Sequence, residues 1–284
     1  MIIGITGAHG FMGSHLYEYM KNIGECEVFD RQKYNLFDIK SMKQFVENKD
    51  FIFHLAGANR AINEELLKVN ALGTLNLLEA TRKYSKVETK IVFASSLQVY
   101  GLTQNLKYLS ESDSLNPNNI YGLSKKFAEE IINKYSEIYG MKSLIFRISN
   151  VYGEGCRSYY NSAIATFIDL IQKGEKIIIN GSGEQSRDFI YVSDVVKAFS
   201  KSLKYTFKHT GTLNICTGKP VSINEVISTL EKVTGITPKM EYNKTNEQAN
   251  YLIGDPLKAM KVLGYKPEIG LEDGLTKTIE RMGR

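Results

Sequence analysis

The stretch Met1–Asp30 leaves few ways to fold. Ile2, Ile3 and Ile5 form a short apolar run suited to a strand buried on both faces, and Gly7, Gly10 and Gly13 follow at three-residue spacing. Leu16 and Met20 continue a helical stripe begun by Phe11. Gly7 permits a tight bend, Gly10 lets the backbone approach a pyrophosphate, and Gly13 lets the new helix, with Phe11 and Met12 in its first turn, pack closely on the strand. Free N–H groups and the positive end of the helix dipole then point at the anion. Val28 and Phe29 lead to Asp30, a carboxylate placed to accept hydrogen bonds from both hydroxyls of an adenosine ribose. The spacing is Gly-x-x-Gly-x-x-Gly, a partial match to the general Gly-x-Gly-x-x-Gly fingerprint. The strand before it, the helix after it and Asp30 carry the expectation of dinucleotide binding over a glycine turn with no ligand.

The next elements repeat the strand–helix alternation. Asn35-Leu36-Phe37-Asp38 leads into a helix predicted over 39–48, with Asp38 as its N-cap. Asp50 to Leu55 reads as a buried strand ending in Leu55-Ala56-Gly57-Ala58, small residues at a carboxyl strand end, where ligands bind in doubly wound sheets. His54 is expected to pack under that strand end. A helix with Leu66, Leu67, Val69, Leu72, Leu75 and Leu78 follows and carries Asn70, and Ile91, Val92 and Phe93 make a fourth strand. This alternation predicts a parallel sheet. Candidate cofactor contacts beyond the glycine turn are Arg31, Asn35 and Leu36 after Asp30, then Leu55, Ala56, Gly57 and Asn70.

The fourth strand runs into Ala94-Ser95-Ser96-Leu97-Gln98-Val99-Tyr100-Gly101, and Tyr121-Gly122-Leu123-Ser124-Lys125 later opens a helix. Tyr121 and Lys125 stand one turn apart on one face. A free phenol of pKa about 10 is a poor base at neutral pH, and a neighbouring ammonium is expected to stabilise its phenolate. Lysine can also hold a ribose hydroxyl, and a serine from the strand end would hydrogen-bond the oxygen of an alcohol or ketone. Alone this spacing is common in solvated helices.

The rest of the composition excludes several classes. At 284 residues, the chain can bury a large core, and its 36 basic and 31 acidic residues are spread without a block of one sign, which suits small anionic ligands better than nucleic acid. No apolar stretch approaches a membrane span, and the first strand starts at Met1 with no basic leader, so a cytoplasmic protein is expected. Cys26, Cys156 and Cys216 are scattered and read as reduced thiols, and neither they nor the four histidines show metal-ligand spacing. Cys26 and Cys216 are expected in the core and Cys156 in a loop.

Taken in order, Gly7-x-x-Gly10-x-x-Gly13, Asp30, Ser95-Ser96 with Val99-Tyr100-Gly101, and Tyr121-x-x-x-Lys125 resemble the extended short-chain dehydrogenase/reductases, the nucleotide-sugar epimerases, dehydratases and reductases. The likeness continues through Arg147-Ile148-Ser149-Asn150-Val151-Tyr152-Gly153, the segment from Gly181 to Asp194, and Asp255 to Tyr265. It implies an α/β protein: a Rossmann doubly wound parallel sheet from residues 1–150 plus a returning segment near 187–235, and a smaller α/β substrate-binding lobe from 151–186 and 236–284. It implies Tyr121 as the acid/base, Lys125 as its partner and Ser96 as the substrate-orienting hydroxyl, with Ser95 as second candidate. Asn150 and Arg187 would contact the diphosphate of a nucleoside-diphosphate sugar, and Gln98 and Asn161 would line the sugar site. Asn150 as a turn cap, and Arg187 paired with Asp188 or Asp194, are the structural alternatives. NAD is the expected cofactor, with NADP admitted by Arg31, and a homodimer is expected.

Departures from the family pattern narrow the chemistry. Dehydratases of the family carry an acidic pair directly after the active-site hydroxyl, whereas Leu97 and Gln98 stand here. Asn243, Lys244 and Thr245 occupy the region where uridine- and thymidine-sugar enzymes often have an arginine, and Asn35 replaces the usual adenine-end aspartate. Leu55 to Arg60, Ser95 to Gln98 and Cys156 to Phe167 resemble capsular-polysaccharide reductases acting on 4-keto deoxy sugars. The expected reaction is therefore hydride transfer at C4, reduction ahead of 4-epimerisation, with a dinucleotide-sensing regulator as the non-enzymatic alternative.

Overall fold

Six strands form the central sheet in the spatial order Gly211–Ile215, Ser143–Ile148, Lys90–Ser96, Phe51–His54, Ile2–Thr6, Glu25–Val28. All pair in parallel. The computed structural model describes residues 1–160, 162–243 and 249–282. Period-two alternation sorts the strand residues between two cores. Ile3, Ile5, Phe51, Phe53, Val92, Ala94, Leu144 and Phe146 face the helices Phe11–Met20 and Val192–Ser202, packing on Leu16, Met20, Val195 and Phe199. Ile52, Ile91, Phe93 and Ile145 face the other way, onto Leu77 and Leu78 of helix Gly73–Tyr84 and Ala128 and Ile132 of helix Ile120–Tyr139. Burial on both faces explains why these strands read as continuous apolar runs. The fold is the expected α/β doubly wound sheet of Rossmann type.

A third core stands apart from the two cores of the main sheet. Helices Ala163–Lys173, Ile223–Thr234 and Leu271–Met282 meet over Ile177 and Ile179 of strand Lys176–Asn180, which pairs in parallel with Lys239–Asn243. Gly274 lets the last helix lie directly on the buried Tyr152 ring, because a Cβ there would sit 2.2 Å from the phenolic oxygen. Ala259, Leu263 and Tyr265, late in the chain, return to the core under the main sheet.

Two local expectations are corrected. The helix predicted over 39–48 is confined to Lys43–Val46. Asp38 caps a turn instead, its Oδ1 accepting from Lys40 N at 2.9 Å, as Asn35 Oδ1 does from Phe37 N. Short carboxylate and amide side chains offer the backbone this alternative to a helix. The long helix predicted around Leu66–Leu78 is interrupted by a π-turn over Lys68–Leu72, which carries Asn70.

Candidate active site

The first strand has the second on one side and the third on the other, so the order of connection reverses there and opens a crevice at the carboxyl ends of Ile2–Thr6 and Phe51–His54. The glycine turn fills its floor. Gly7 adopts φ +75° and runs so close to the next strand end that a Cβ would lie 2.6 Å from Ala56 N. Gly13 is pressed against the same turn, where a Cβ would lie 2.0 Å from Gly7 O. Gly10 N donates to Gly7 O at 2.9 Å, and Gly10 precedes helix Phe11–Met20 without a side-chain cap, which leaves the helix N-terminus open toward the crevice. Thr6 Oγ1 ties the two strand ends by accepting from Ala56 N at 3.0 Å and contacting His54 Nδ1 at 2.7 Å. His54 is buried, and its other nitrogen meets Thr74 Oγ1 at 3.0 Å. Burial, with a smaller push from Lys125, drives its pKa down to about 3, so it is a neutral packing group.

A cavity of about 640 Å³ opens on this turn. Its walls include Gly7, Gly10, Phe11, Met12, Gly13, Leu55 and Gly57 at one end, and Ser95, Ser96, Gln98, Tyr121, Lys125 and Asn150 at the other. Helix Ile120–Tyr139 brings Tyr121 there because Asn119 caps it, accepting from Gly122 N at 2.8 Å. Gly122 lets its first turn approach the strand end, since a Cβ would lie 2.5 Å from Gln98 O. Asn119 also donates to Gln98 Oε1 at 2.9 Å.

The two serines point apart, as neighbours on a strand must. Ser95 Oγ donates to the buried Glu129 Oε1 at 2.5 Å, while the Ser96 hydroxyl accepts from Gln98 N at 3.2 Å and lines the same cavity as Tyr121. Lys125 Nζ donates to Ala94 O at 2.8 Å and lies 4.8 Å from the Phe93 ring centre. Burial draws the Lys125 ammonium down to about 8, against a raising influence from Glu129. Burial also pushes the Tyr121 phenol up to about 12, partly offset by Ser96. Desolvation on folding favours the uncharged form, so Tyr121 is a neutral phenol at pH 7.

Apart from Asn150, the remaining expected residues are outside this wall or outside the described residues. Asp30, its Oδ1 accepting from Gln32 N at 2.9 Å, lines a second cavity of about 490 Å³ that extends from His9 past Val28 to Tyr34. Arg31 and Asn35 are exposed, and Leu36 packs under Gly73. Asn70 stands behind the wall: its amide donates to Ala58 O and Ser124 Oγ and accepts from Ala58 N, fixing the loop after Gly57. Asn150 Nδ2 donates to Asp188 O at 3.2 Å. Arg187 pairs with neither Asp188 nor Asp194; it donates to the side chain and carbonyl of Asn250 at 2.7 and 3.0 Å and is outside the cavity wall. Asn161 lies outside the described residues, as do Lys244 and Thr245. Cys156 and Cys216 are buried and Cys26 is half-buried.

Sequence reasoning missed Arg60, which lines the cavity and donates to Tyr159 O at 2.6 Å. A lone cation just past the Gly57 strand end was the available signal. It also missed Glu129, one turn beyond Lys125, and Tyr160 in the cavity wall.

A family model described as the NAD dependent epimerase/dehydratase family matches residues 3–216. The chain belongs to this family. It is 38% identical to the dTDP-4-dehydro-6-deoxyglucose reductase of Escherichia coli over 67% of this chain and 60% of that protein. It is 30% identical to the UDP-glucuronate 4-epimerase of Thermodesulfobacterium geofontis over 93% and 82%. Among solved structures, MoeE5 in complex with UDP-glucuronic acid and NAD superposes with a TM-score of 0.87, at 30% identity, over 100% of this chain and 99% of that one. These relatives are enzymes of nucleotide-sugar chemistry. Among the described residues no helix is long and apolar enough to cross a membrane, and no group of His, Cys, Asp and Glu could hold a metal.

Proposed function

We propose that this protein binds NAD in the glycine-turn crevice and reduces a 4-keto-6-deoxy nucleoside-diphosphate sugar at C4. One observation carries the reading. Among the described cavity-wall residues the ionisable side chains are Arg60, Tyr121, Lys125 and Tyr160, with no carboxylate, histidine or thiol. Leu97 is buried in a neighbouring core, and Gln98 is an amide bonded to Asn119. Such a wall can move one proton at one oxygen, which is what carbonyl reduction requires, and it lacks the acid and base that elimination needs on neighbouring carbons.

The open helix N-terminus at Gly10 and the glycine turn suit a pyrophosphate, and Asp30 suits an adenosine ribose. Asp30 would repel a 2′-phosphate, and the exposed Arg31 stands outside both cavity walls, which favours NAD over NADP. When bound, the reduced nicotinamide supplies the hydride. As it reaches the carbonyl carbon, the π pair moves to oxygen, Ser96 holds that oxygen and the Tyr121 hydroxyl gives it a proton. Lys125 stabilises the resulting phenolate until solvent returns the proton. The positive Arg60 and Lys125, in a wall without carboxylates, suit a diphosphate-bearing substrate.

A second reading, 4-epimerisation with retained NAD, is favoured by the 4-epimerase relative aligned over most of both chains. It uses the same Ser96, Tyr121 and Lys125. Supplying defined 4-keto sugar nucleotides with NADH or NADPH and following the reduced-nicotinamide absorbance separates the two. Stoichiometric cofactor oxidation is expected; interconversion of 4-hydroxy epimers without net oxidation would replace the reductase by the epimerase.

A further inference from the structure

Tyr121, Lys125 and Glu129 are spaced by one turn each along the same helix. Glu129 is almost completely buried. It accepts from Ser95 Oγ at 2.5 Å and from Arg147, through Nε at 3.1 Å and Nη2 at 2.7 Å to its Oε2. Arg147 Nη1 donates to the Tyr100 hydroxyl at 2.9 Å and to Glu111 O at 3.4 Å. Tyr100 donates to Asn214 Oδ1 at 2.8 Å, and Asn214 N donates to Glu111 Oε1 at 2.7 Å. This chain of bonds crosses three adjacent strands, Lys90–Ser96, Ser143–Ile148 and Gly211–Ile215, and the catalytic helix.

A buried ion pair is a poor source of stability, because desolvation cancels most of the attraction and apolar packing would serve as well. Two features of this one point to another use. Its carboxylate holds the serine adjoining Ser96, so the hydroxyl on the opposite side of the strand is presented to the cavity that Tyr121 also lines. It also stands one helical turn from Lys125, whose surroundings otherwise hold no carboxylate: the Ala94 carbonyl and Phe93 ring from one strand, neutral His54 from the next, Tyr121 on its own helix and the cation Arg60 in the same cavity wall.

We propose that Glu129 is a positioning residue of the active site, seating Ser95 so that Ser96 is presented to the cavity that Tyr121 also lines, and supplying the negative charge that keeps Lys125 an ammonium. The proposal rests on the reading of Ser96, Tyr121 and Lys125 as the reacting site. Arg147 neutralises part of the Glu129 charge from the strand side, so Lys125 feels the remainder.

The test compares pH profiles of kcat in wild type, Glu129→Gln and Glu129→Asp, with folding checked by circular dichroism. Glu129→Gln is expected to move the alkaline limb down by about one pH unit and to lower kcat about tenfold. Glu129→Asp keeps the charge but withdraws it from Ser95; its limb should coincide with wild type while kcat falls. A Gln variant whose limb coincides with wild type overturns the charge role, and an Asp variant with wild-type kcat overturns the seating. If the Gln variant does not fold, Ser95→Ala takes its place for the seating, with a fall in kcat expected and an unchanged kcat overturning it. Titration of the Lys125 Cε signal by NMR, assigned with Lys125→Arg, reads the charge coupling without turnover. A wild type inactive on 4-keto sugars would defeat the proposed reaction and leave that titration to decide on Glu129.

Discussion

Gly10 and Gly13 look equivalent in the sequence, and the structure predicts that alanine at each fails in a different way. At Gly13 the new Cβ would stand 2.0 Å from Gly7 O, 2.7 Å from Gly7 C and 2.9 Å from Ala8 Cα, all backbone atoms of the turn that lies against Ala56. Reaching ordinary contact at 3.4 Å requires the helix and turn to part by about 1.4 Å. Leu16 and Met20, on the same buried face of the helix as Gly13, are packed in the main core, so a displacement that draws them out of it is resisted. Overpacking of this kind costs about 3 kcal/mol, which for a chain of this size lowers the melting temperature by roughly 6–12 °C. At Gly10 the nearest neighbour is Gly7 O at 3.2 Å, so Gly10→Ala should fold with a melting temperature within about 2 °C of wild type. Its methyl group instead occupies the approach to the helix N-terminus and should weaken NADH binding at least about tenfold. Differential scanning fluorimetry and NADH fluorescence titration read the two effects. A Gly13→Ala protein with wild-type stability, or a Gly10→Ala protein that loses stability while keeping NADH affinity, would refute this account of the turn.

Tyr121→Phe should abolish turnover while leaving NADH binding within about twofold, because the phenol moves a proton and the ring stays in the wall; joint loss in a binding titration would assign it a structural role. Arg60→Ala should raise KM for a sugar nucleotide about tenfold, leave NADH affinity unchanged and hardly alter the melting temperature, since its bond to Tyr159 is exposed. Asp188 is buried and accepts from Thr217 N, Thr217 Oγ1 and Gly218 N, yet burial raises its pKa to about 6. A folded pKa above the unfolded value gives stability that is complete below about pH 4 and lost as pH rises through about 6. The advantage of wild type over Asp188→Asn in urea unfolding should therefore shrink by up to about 3 kcal/mol between pH 4 and pH 7, and an advantage that grows with pH would reverse the assignment.

The sequence by itself determined the local chemistry of this protein. Apolar runs of strand length alternating with helical stripes required a parallel sheet, and the glycines at three-residue spacing between Ile5 and Leu16 required a turn that no residue with a Cβ could make at Gly7 or Gly13. Helical periodicity alone placed Tyr121 and Lys125 on one face, and the same periodicity reached Glu129 unnoticed, because a carboxylate at that spacing looks like any solvated one. Where local polar competition entered, as at Asn35 and Asp38, pattern reading extended a helix that the side chains themselves prevent. Only the tertiary structure set Ser95 against Glu129, since what each of the two serines meets depends on what lies behind the sheet. Only it placed Arg60 in the cavity, through a loop that approaches Tyr159 from another part of the chain, and set Arg187 against Asn250. The ionisation of the site belongs to that level too. Burial is a sum over neighbours far apart in sequence, and here it keeps Tyr121 an uncharged phenol and draws the Lys125 ammonium down, with Glu129 one turn away acting against that fall.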